Sequence, residues 1–332
     1  MEIEQVVGFL KAKWFPLGLL GVFVLTLGDF TGFLSGLGIW LKAHYGAQAI
    51  VWVIFFLSGL ILKTEQIKAG LSDIQGTLLT LFIIFFIAPL TAWCLGLIHM
   101  PPGIRIGLFL VAVMPTTLSS GVVMTGSSGG NTAHALLITI LANGLSMFTI
   151  PFSLAILLIE GGNGSEVPLD WLKMMIEIGM LVLVPLSLGL LLGSMKKGIR
   201  ARQEKYIPII NQCMILLTVW MALSAARTAT LEGGIQIFTI VTFSFDFHGF
   251  LLTTAFAISG LFNRGRGRRE SLIFMGGQKT LPLSILLQIT LFPQYGLALV
   301  FCVVHHIVHL IMDGYLVGRF AQRSKGGRQV CP

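Results

Sequence analysis

Two stretches of this chain set polar side chains inside apolar runs. Residues 111–131, VAVMPTTLSSGVVMTGSSGGN, bring Thr116, Thr117, Ser119 and Ser120 together with a proline and four glycines. Residues 274–288, FMGGQKTLPLSILLQ, place Gln278, Lys279 and Thr280 between two glycines and Pro282. Proline and glycine break a helix, and a broken helix frees backbone carbonyls that, with Ser and Thr hydroxyls, can ligate a hard cation. The N-terminus of the helix resuming after a break instead favours an anion. Ser, Thr and Gly also serve close helix packing, so a site and a packing seam both remain open for the first stretch. Lys279 is more telling. An ammonium at bilayer mid-depth costs about 2.5–3.5 kcal/mol, and a lysine about ten residues from either end of its apolar run cannot snorkel to water. It requires an ion-pairing partner or a functional role.

Further polar residues sit at similar depth. Asn131 opens the next apolar run, where Thr139 and Asn143 are four residues apart and share a helix face. Asp246 and His248, two apart, lie about 200° apart around a helix and cannot both face one cavity unless the helix opens. Asp246 is a candidate counter-ion for Lys279 or, with its carboxyl buried, a proton carrier. His305, His306, His309 and Asp313 follow in the last apolar run, where His309 and Asp313 share a face with either of the other two. A His pair four apart can hold a metal, but no HExxH pattern accompanies it, which favours packing or hydrogen-bonding histidines.

The elements that must position these residues follow from composition. Among 332 residues, 55% are hydrophobic and only 11% charged, against roughly 25% charged in soluble domains. With a mean hydropathy of +0.88, the chain is all-α and polytopic in a membrane. Soluble enzymes and nucleic-acid binders are excluded as classes, and the lipid bilayer is the first partner. Ten runs reach the roughly 20 residues that span a bilayer: about 14–31, 47–62, 75–98, 104–128, 132–159, 171–194, 207–226, 235–262, 271–293 and 295–318. With the N-terminus cytoplasmic, 17 of 22 Lys and Arg residues fall on the cytoplasmic side, in the segments around Lys11, Lys63, Lys196, Arg264 and Arg323. Only Lys42, Arg105, Lys173 and Arg227 fall opposite. That asymmetry places both termini in the cytoplasm, assigns the net charge of +8 to topology, and predicts a plasma (cell inner) membrane location. The N-terminus, acidic at Glu2 and Glu4, lacks a cleaved-signal pattern. The four cysteines are too scattered for a disulfide framework or a zinc site.

Five spans per half is an odd number, so two related halves would insert with opposite orientation. Trp14 precedes Pro115 by 101 residues and Trp171 precedes Pro282 by 111, which favours a repeat over two unrelated kinks. The expected organisation is an inverted five-helix repeat at 1–165, a second at 166–322 and a cytoplasmic tail at 323–332. Inverted repeats with broken helices are how many secondary transporters build a midplane site.

The stretches IAPLTAWCLGL (87–97) and MPTTLSSGVVMTGSSGGN (114–131), with IFFLSGLILKT (54–64), GGQKTLPL (276–283) and His306-x-x-His309, resemble the bile acid:sodium symporter family. The likeness covers nearly the whole chain. It is greatest to the SBF-like branch, which includes bacterial symporters and the vertebrate solute carrier family 10 member 7. The resemblance implies core and panel domains, with broken helices 4 and 9 crossing. It implies sodium at the crossing and an organic anion in the cavity between domains. By position, Ser119 and Ser120, Thr139, and Gln278 match sodium-ligating residues. The chain departs from the pattern at Phe274, where the symporters have Glu, and at Ile84, where they have Gln. Ala135 stands at another ligand position, and Lys279 replaces a polar amide. An ammonium in place of a carboxylate repels sodium, so Lys279 is expected to occupy part of that site as a fixed cation or proton carrier.

The expected function is a secondary active transporter, symporter-like, moving a small organic anion by alternating access with sodium or proton coupling. Its expected site comprises Thr116, Thr117, Ser119, Ser120, Asn131, Thr139, Asn143, Gln278, Lys279 and Thr280. Asp246, His248, His306 and His309 are coupling or ion-pairing candidates. No cofactor other than sodium is expected, and a second copy of the chain is a candidate partner. The alternative implied by the resemblance is a membrane regulator of calcium homeostasis that carries no solute. Intramembrane catalysis is disfavoured by the absence of a His-Glu metal motif or a Ser nucleophile elbow. A sequon at Asn163-Gly-Ser165 lies in a predicted external loop.

Overall fold

Helices make up the regular structure of a computed structural model that describes residues 2–62, 70–160, 170–195 and 205–326, and no strand forms among these. In chain order they are α1 (Glu2–Leu27), α2 (Phe33–Ala43), α3 (Gly46–Ile61), α4 (Ile74–Gly96), α5 (Pro102–Val113), α6 (Ser120–Ser127) and α7 (Thr132–Glu160). The second half adds α8 (Trp171–Met195), α9 (Ile207–Ala225), α10 (Arg227–Glu232), α11 (Gly234–Leu261), α12 (Arg268–Gly277), α13 (Leu281–Leu291) and α14 (Gly296–Gly326). The sequon at 163–165 and the basic residues at 63, 68 and 196–202 lie outside the described residues.

Among the described residues, seven elements are long and apolar enough to cross a bilayer: α4, α7, α8, α9, α11, the α12–α13 pair and α14. The α2–α3 pair, bent by 71°, makes an eighth. The ten-span expectation therefore stands only in part. Its first span shortens to the apolar stretch Trp14–Leu27, and its fourth is divided between α5 and the eight-residue α6. Helix α2 occupies residues expected to form a loop. The chain turns into it through Gly32, at φ 71°, while the Asp29 carboxylate accepts from Ser35 N and Ser35 Oγ, each at 2.8 Å. Helix α14 runs on to Gly326, into the first residues of the expected tail.

Helices α4 and α8 each contain a π-helical turn, Ile83–Ile87 and Gly179–Leu183, and each turn is followed two residues later by a proline, Pro89 and Pro185. A proline inside a helix removes a donor and crowds the preceding turn. In α4 the Ala88 N–H goes back to Ile83 O and residue 89 has no N–H, so neither donates to Ile84 O.

The packing is arranged around α12 and α13. Every residue from Glu270 to Gln288 is buried, whereas outer helices present large apolar side chains such as Leu78 and Phe82 of α4 or Phe245 and Phe250 of α11. Such an apolar outside suits lipid, and the chain is an integral membrane protein. The halves interlock: α3 packs on α8, α5 on α14, and α9 on α1 and α2. At the α3–α8 contact, a Cβ added to Gly59, Gly189 or Gly193 would overlap a backbone carbonyl of the facing helix. Small residues at such spacing let membrane helices approach backbone to backbone.

Outside the spans, the loop before α12 is tied to the start of α4. The buried Arg264 guanidinium pairs with Asp73 through Nη2 and donates to Gln75 Oε1 through Nη1 at 3.0 Å. Asp73 also caps α4, accepting from Gly76 N at 3.0 Å. Burial pushes its carboxyl upward, but the Arg264 guanidinium and the Gly76 amide outweigh this and hold it below the usual carboxylate range.

Candidate substrate and ion site at two helix breaks

The two broken helices meet at their gaps. Met114 adopts an extended conformation, ψ 145°, as the residue before Pro115. Gln278 and Thr280 are likewise extended, and Pro282 stands in the first turn of α13, where its missing N–H is harmless. Thr280 N donates to Pro115 O at 3.0 Å and joins one break to the other.

Adjacent residues of the second break serve opposite sides of the crossing. Lys279 is buried, and its Nζ donates to Ile84 O, Ala112 O and Met114 O at 3.0, 3.0 and 2.9 Å. Ile84 O is the carbonyl freed by the π-turn of α4. Ala112 and Met114 stand at the C-terminal end of α5, the negative end of its dipole. All three ammonium donors therefore have acceptors.

Gln278 turns the other way. Its Oε1 accepts from Thr117 Oγ1 at 2.6 Å and Ser120 Oγ at 3.1 Å, and Thr117 Oγ1 in turn accepts from Gly121 N at 2.9 Å. Its Nε2 donates to Asp313 Oδ2 at 2.8 Å and approaches Met124 Sδ at 3.0 Å. The other carboxylate oxygen, Asp313 Oδ1, lies 3.0 Å from His248 Nε2, with both side chains fully buried.

The remaining predicted residues divide into those at the crossing and those that are not. Thr116, Thr139 and Asn143 form a third group beside it. Asn143 Nδ2 donates to Thr139 O at 2.8 Å and Thr116 O at 3.3 Å, while the Thr139 hydroxyl donates to Ala135 O at 2.9 Å. Asn131 instead caps α7, its Oδ1 accepting from His134 N at 3.1 Å. Asp246 does not pair with Lys279: it is exposed on α11, and the ammonium is fully engaged by carbonyls. His306 and Thr280 line a narrow cleft of about 30 Å³ together with Thr117, Ser119, Ser120 and Asn211. A neighbouring cavity of about 210 Å³ shares Ser119, Ser120 and Gln212 and reaches Trp14, Met124 and Gly314. A cavity of about 380 Å³ between Trp93 and Phe152 is larger but contains almost no polar group and lies away from both breaks.

The positions that hold sodium ligands in the resembling symporters are packed differently. Ile84 and Ala135 belong to one buried apolar cluster and Phe274 to another, so these side chains supply no oxygen to an ion. Among the described residues no group of His, Cys, Asp and Glu side chains is arranged to hold a metal ion. Three contacts went unforeseen: the Ile84 carbonyl, the Asp313–Gln278 bond and the Asn211–Ser58 bond at 2.9 Å. Pro89 within an apolar span was the available signal for the first; nothing local signals the other two.

The profile of the SBF-like CPA transporter family matches residues 13–322. The chain belongs to that family. It is 29% identical to a rice protein named "Probable sodium/metabolite cotransporter BASS4, chloroplastic", over 96% of this chain and 78% of that one. It is 25% identical to "Sodium/bile acid cotransporter 7" of Xenopus tropicalis, over 93% and 91% of the two chains. A Bacillus subtilis protein, YbaS, is 26% identical over 82% of this chain and 89% of its own. The resemblance seen in the motifs of both breaks thus extends across the membrane-embedded chain, and the family is one of transporters rather than enzymes.

Proposed function

We propose that the chain is a secondary transporter that carries a small organic anion by alternating access, with the substrate held where the two breaks meet. The observation that supports this most directly is the convergence of two helix N-termini, α6 at Ser120 and α13 at Leu281, on one polar cleft. The positive dipole ends of both helices there suit a carboxylate. Ser119, Ser120, Thr280 and Gln212 add hydroxyl and amide partners. The names of the relatives agree with solute cotransport.

In this reading Lys279 takes the place of a bound sodium ion. Its ammonium receives three carbonyls as a desolvated cation would, and one of them belongs to Ile84, where the resembling symporters carry a Gln. Ser119, Ser120, Thr139 and Gln278 then act on substrate or on one another. The Thr139 hydroxyl is already spent on Ala135 O, and Gln278 Oε1 on two hydroxyls. Ten membrane passes, two inverted halves at 1–165 and 166–322, and cytoplasmic termini complete the proposal. Contacts across the halves and the asymmetry of Lys and Arg support that arrangement.

The test is uptake of a panel of small carboxylates into proteoliposomes holding the purified chain alone, with sodium, potassium and pH varied independently. Saturable uptake that sodium does not accelerate is the expected result. Uptake strictly dependent on sodium would overturn the assignment of Lys279, and no uptake of any anion would overturn the transport reading.

A further inference from the structure

Four histidines meet in one buried cluster on the Gln278 side of the crossing. His248 comes from α11, and adjacent His305 and His306 and then His309, one turn on, come from α14. Ring centroids are 5.9 Å apart for His248 and His305, 5.6 Å for His248 and His309, 5.6 Å for His305 and His309, and 4.5 Å for His306 and His309. The rings are 0–4% exposed. Both nitrogens of His305, both of His309, and Nδ1 of His248 and His306 have no hydrogen-bond partner. Buried polar atoms are nearly always paired, and six such nitrogens in one cluster call for an explanation beyond packing. Each imidazole can accept or release a proton, and an imidazolium edge against a neighbouring ring face is a favourable contact.

The cluster has one carboxylate, Asp313, and two connections to the crossing. Asp313 Oδ1 meets His248 Nε2, and Asp313 Oδ2 accepts from Gln278 Nε2. His306 lines the cleft between the breaks, so it offers a way in from the proposed substrate space. The charged or titratable groups facing the cluster are His248 from α11, His305, His306, His309 and Asp313 from α14, and Lys279 from the break. The Lys279 ammonium is directed away, onto α4 and α5 carbonyls. Asp246 of α11 faces outward. A His–carboxylate pair sealed from water is electrically neutral only while it holds one proton, as imidazolium and carboxylate or as imidazole and carboxylic acid. Loss of that proton leaves a buried, uncompensated carboxylate, and gain of a second leaves a buried cation that the neighbouring rings can share.

We propose that His248, His305, His309 and Asp313 form a proton-binding site, entered through His306, whose occupancy is read at the helix crossing by the side-chain amide of Gln278. When the pair holds its proton as imidazolium and carboxylate, Asp313 accepts from Gln278, and Gln278 in turn holds Thr117 and Ser120. When the site gains a second proton, so that Asp313 becomes the acid while the rings keep theirs, its acceptance weakens and the amide is free to re-aim its oxygen into the cleft. The proton site would then supply the coupling that a fixed Lys279 cannot, which rests on the transport reading above; proton binding itself does not.

The test uses the full chain in lipid nanodiscs with nitrogen-15 labels on histidine and glutamine, followed by magnetic resonance from pH 5 to pH 9. Single His→Gln variants assign the rings. The expected result is that rings of the cluster exchange between neutral and imidazolium forms within that range. The Gln278 amide signal should move with the same midpoint, and Asp313→Asn should abolish its movement. His309→Gln serves if Asp313→Asn fails to fold. Rings of His248, His305 and His309 that keep neutral signals throughout would overturn the proposal, as would a Gln278 amide that ignores the titration. Uptake in proteoliposomes separates the two readings. Titration without uptake of any anion sinks transport and leaves the proton site standing; uptake without titration sinks the proton site alone.

Discussion

Lys279 and Gln278 are neighbours in one break, yet they face opposite environments. On the Lys279 side every donor has a carbonyl, and those carbonyls come from backbone freed by a π-turn and a helix end. On the Gln278 side a chain of side chains runs through Thr117, Ser120, Asp313 and His248 to histidines with unpartnered nitrogens. A saturated site can only hold; a site with spare donors and acceptors can change partners. The contrast teaches that the lysine anchors the crossing, while the movable chemistry lies across the backbone from it.

The sharpest way to break this comparison is Lys279→Ala. Three buried carbonyls lose their donor, each at about 1–3 kcal/mol, so a loss of several kcal/mol and poor recovery of folded protein are expected in a thermal melt. If Lys279→Ala melts like the parent, the anchor role is wrong. A calibration lies outside the membrane. Asp73→Asn breaks a buried pair with Arg264 and is expected to cost about 3–5 kcal/mol. The Asp73 carboxyl titrates lower in the folded chain than in the unfolded one. Its contribution is therefore full above the ordinary carboxylate range near 3.9 and fades as pH falls through the lowered value. Melting temperatures of parent and Asp73→Asn should accordingly converge toward strongly acidic pH, and a constant gap down to pH 2 would contradict this.

Smaller effects are expected on the side with side-chain partners. Gln278→Ala removes the acceptor for two hydroxyls and one donor to Asp313, for about 1–3 kcal/mol in a denaturation midpoint. It should leave the protein folded but weaken carboxylate uptake by tenfold or more. Ser120→Ala removes one of the two hydroxyls and should cost about 1 kcal/mol or less, with a several-fold rise in KM for uptake. Ser120→Ala losing more stability than Lys279→Ala would reverse the assignment of anchor and movable side.

Much of the crossing was legible in the chain. Pro115 and Pro282 within apolar runs foretold the two breaks, and Lys279 at mid-depth foretold a residue that must be satisfied. Its partners were not legible, because a carbonyl has no sequence identity: only the π-turn before Pro89 and the end of α5 make three oxygens converge. Asp246 looked like a counter-ion by depth alone, but its position around α11 turns it outward. Asn131 looked like a lining residue and serves as a helix cap. Helix α2 escaped notice because its eleven residues are too few to span a bilayer, and its bend against α3 falls at His44 and Tyr45, the latter at φ 60°.

Composition and periodicity alone determine that this chain is a helical membrane protein with two interrupted helices, since a bilayer admits only helices whose backbone groups pair within themselves unless protein surrounds the break. The identity of the family follows from the same residues in order. Which atoms meet at the crossing is decided only by the tertiary structure. The contacts that matter join residues from 35 to 195 positions apart, and their geometry depends on the packing of helices that no local pattern relates.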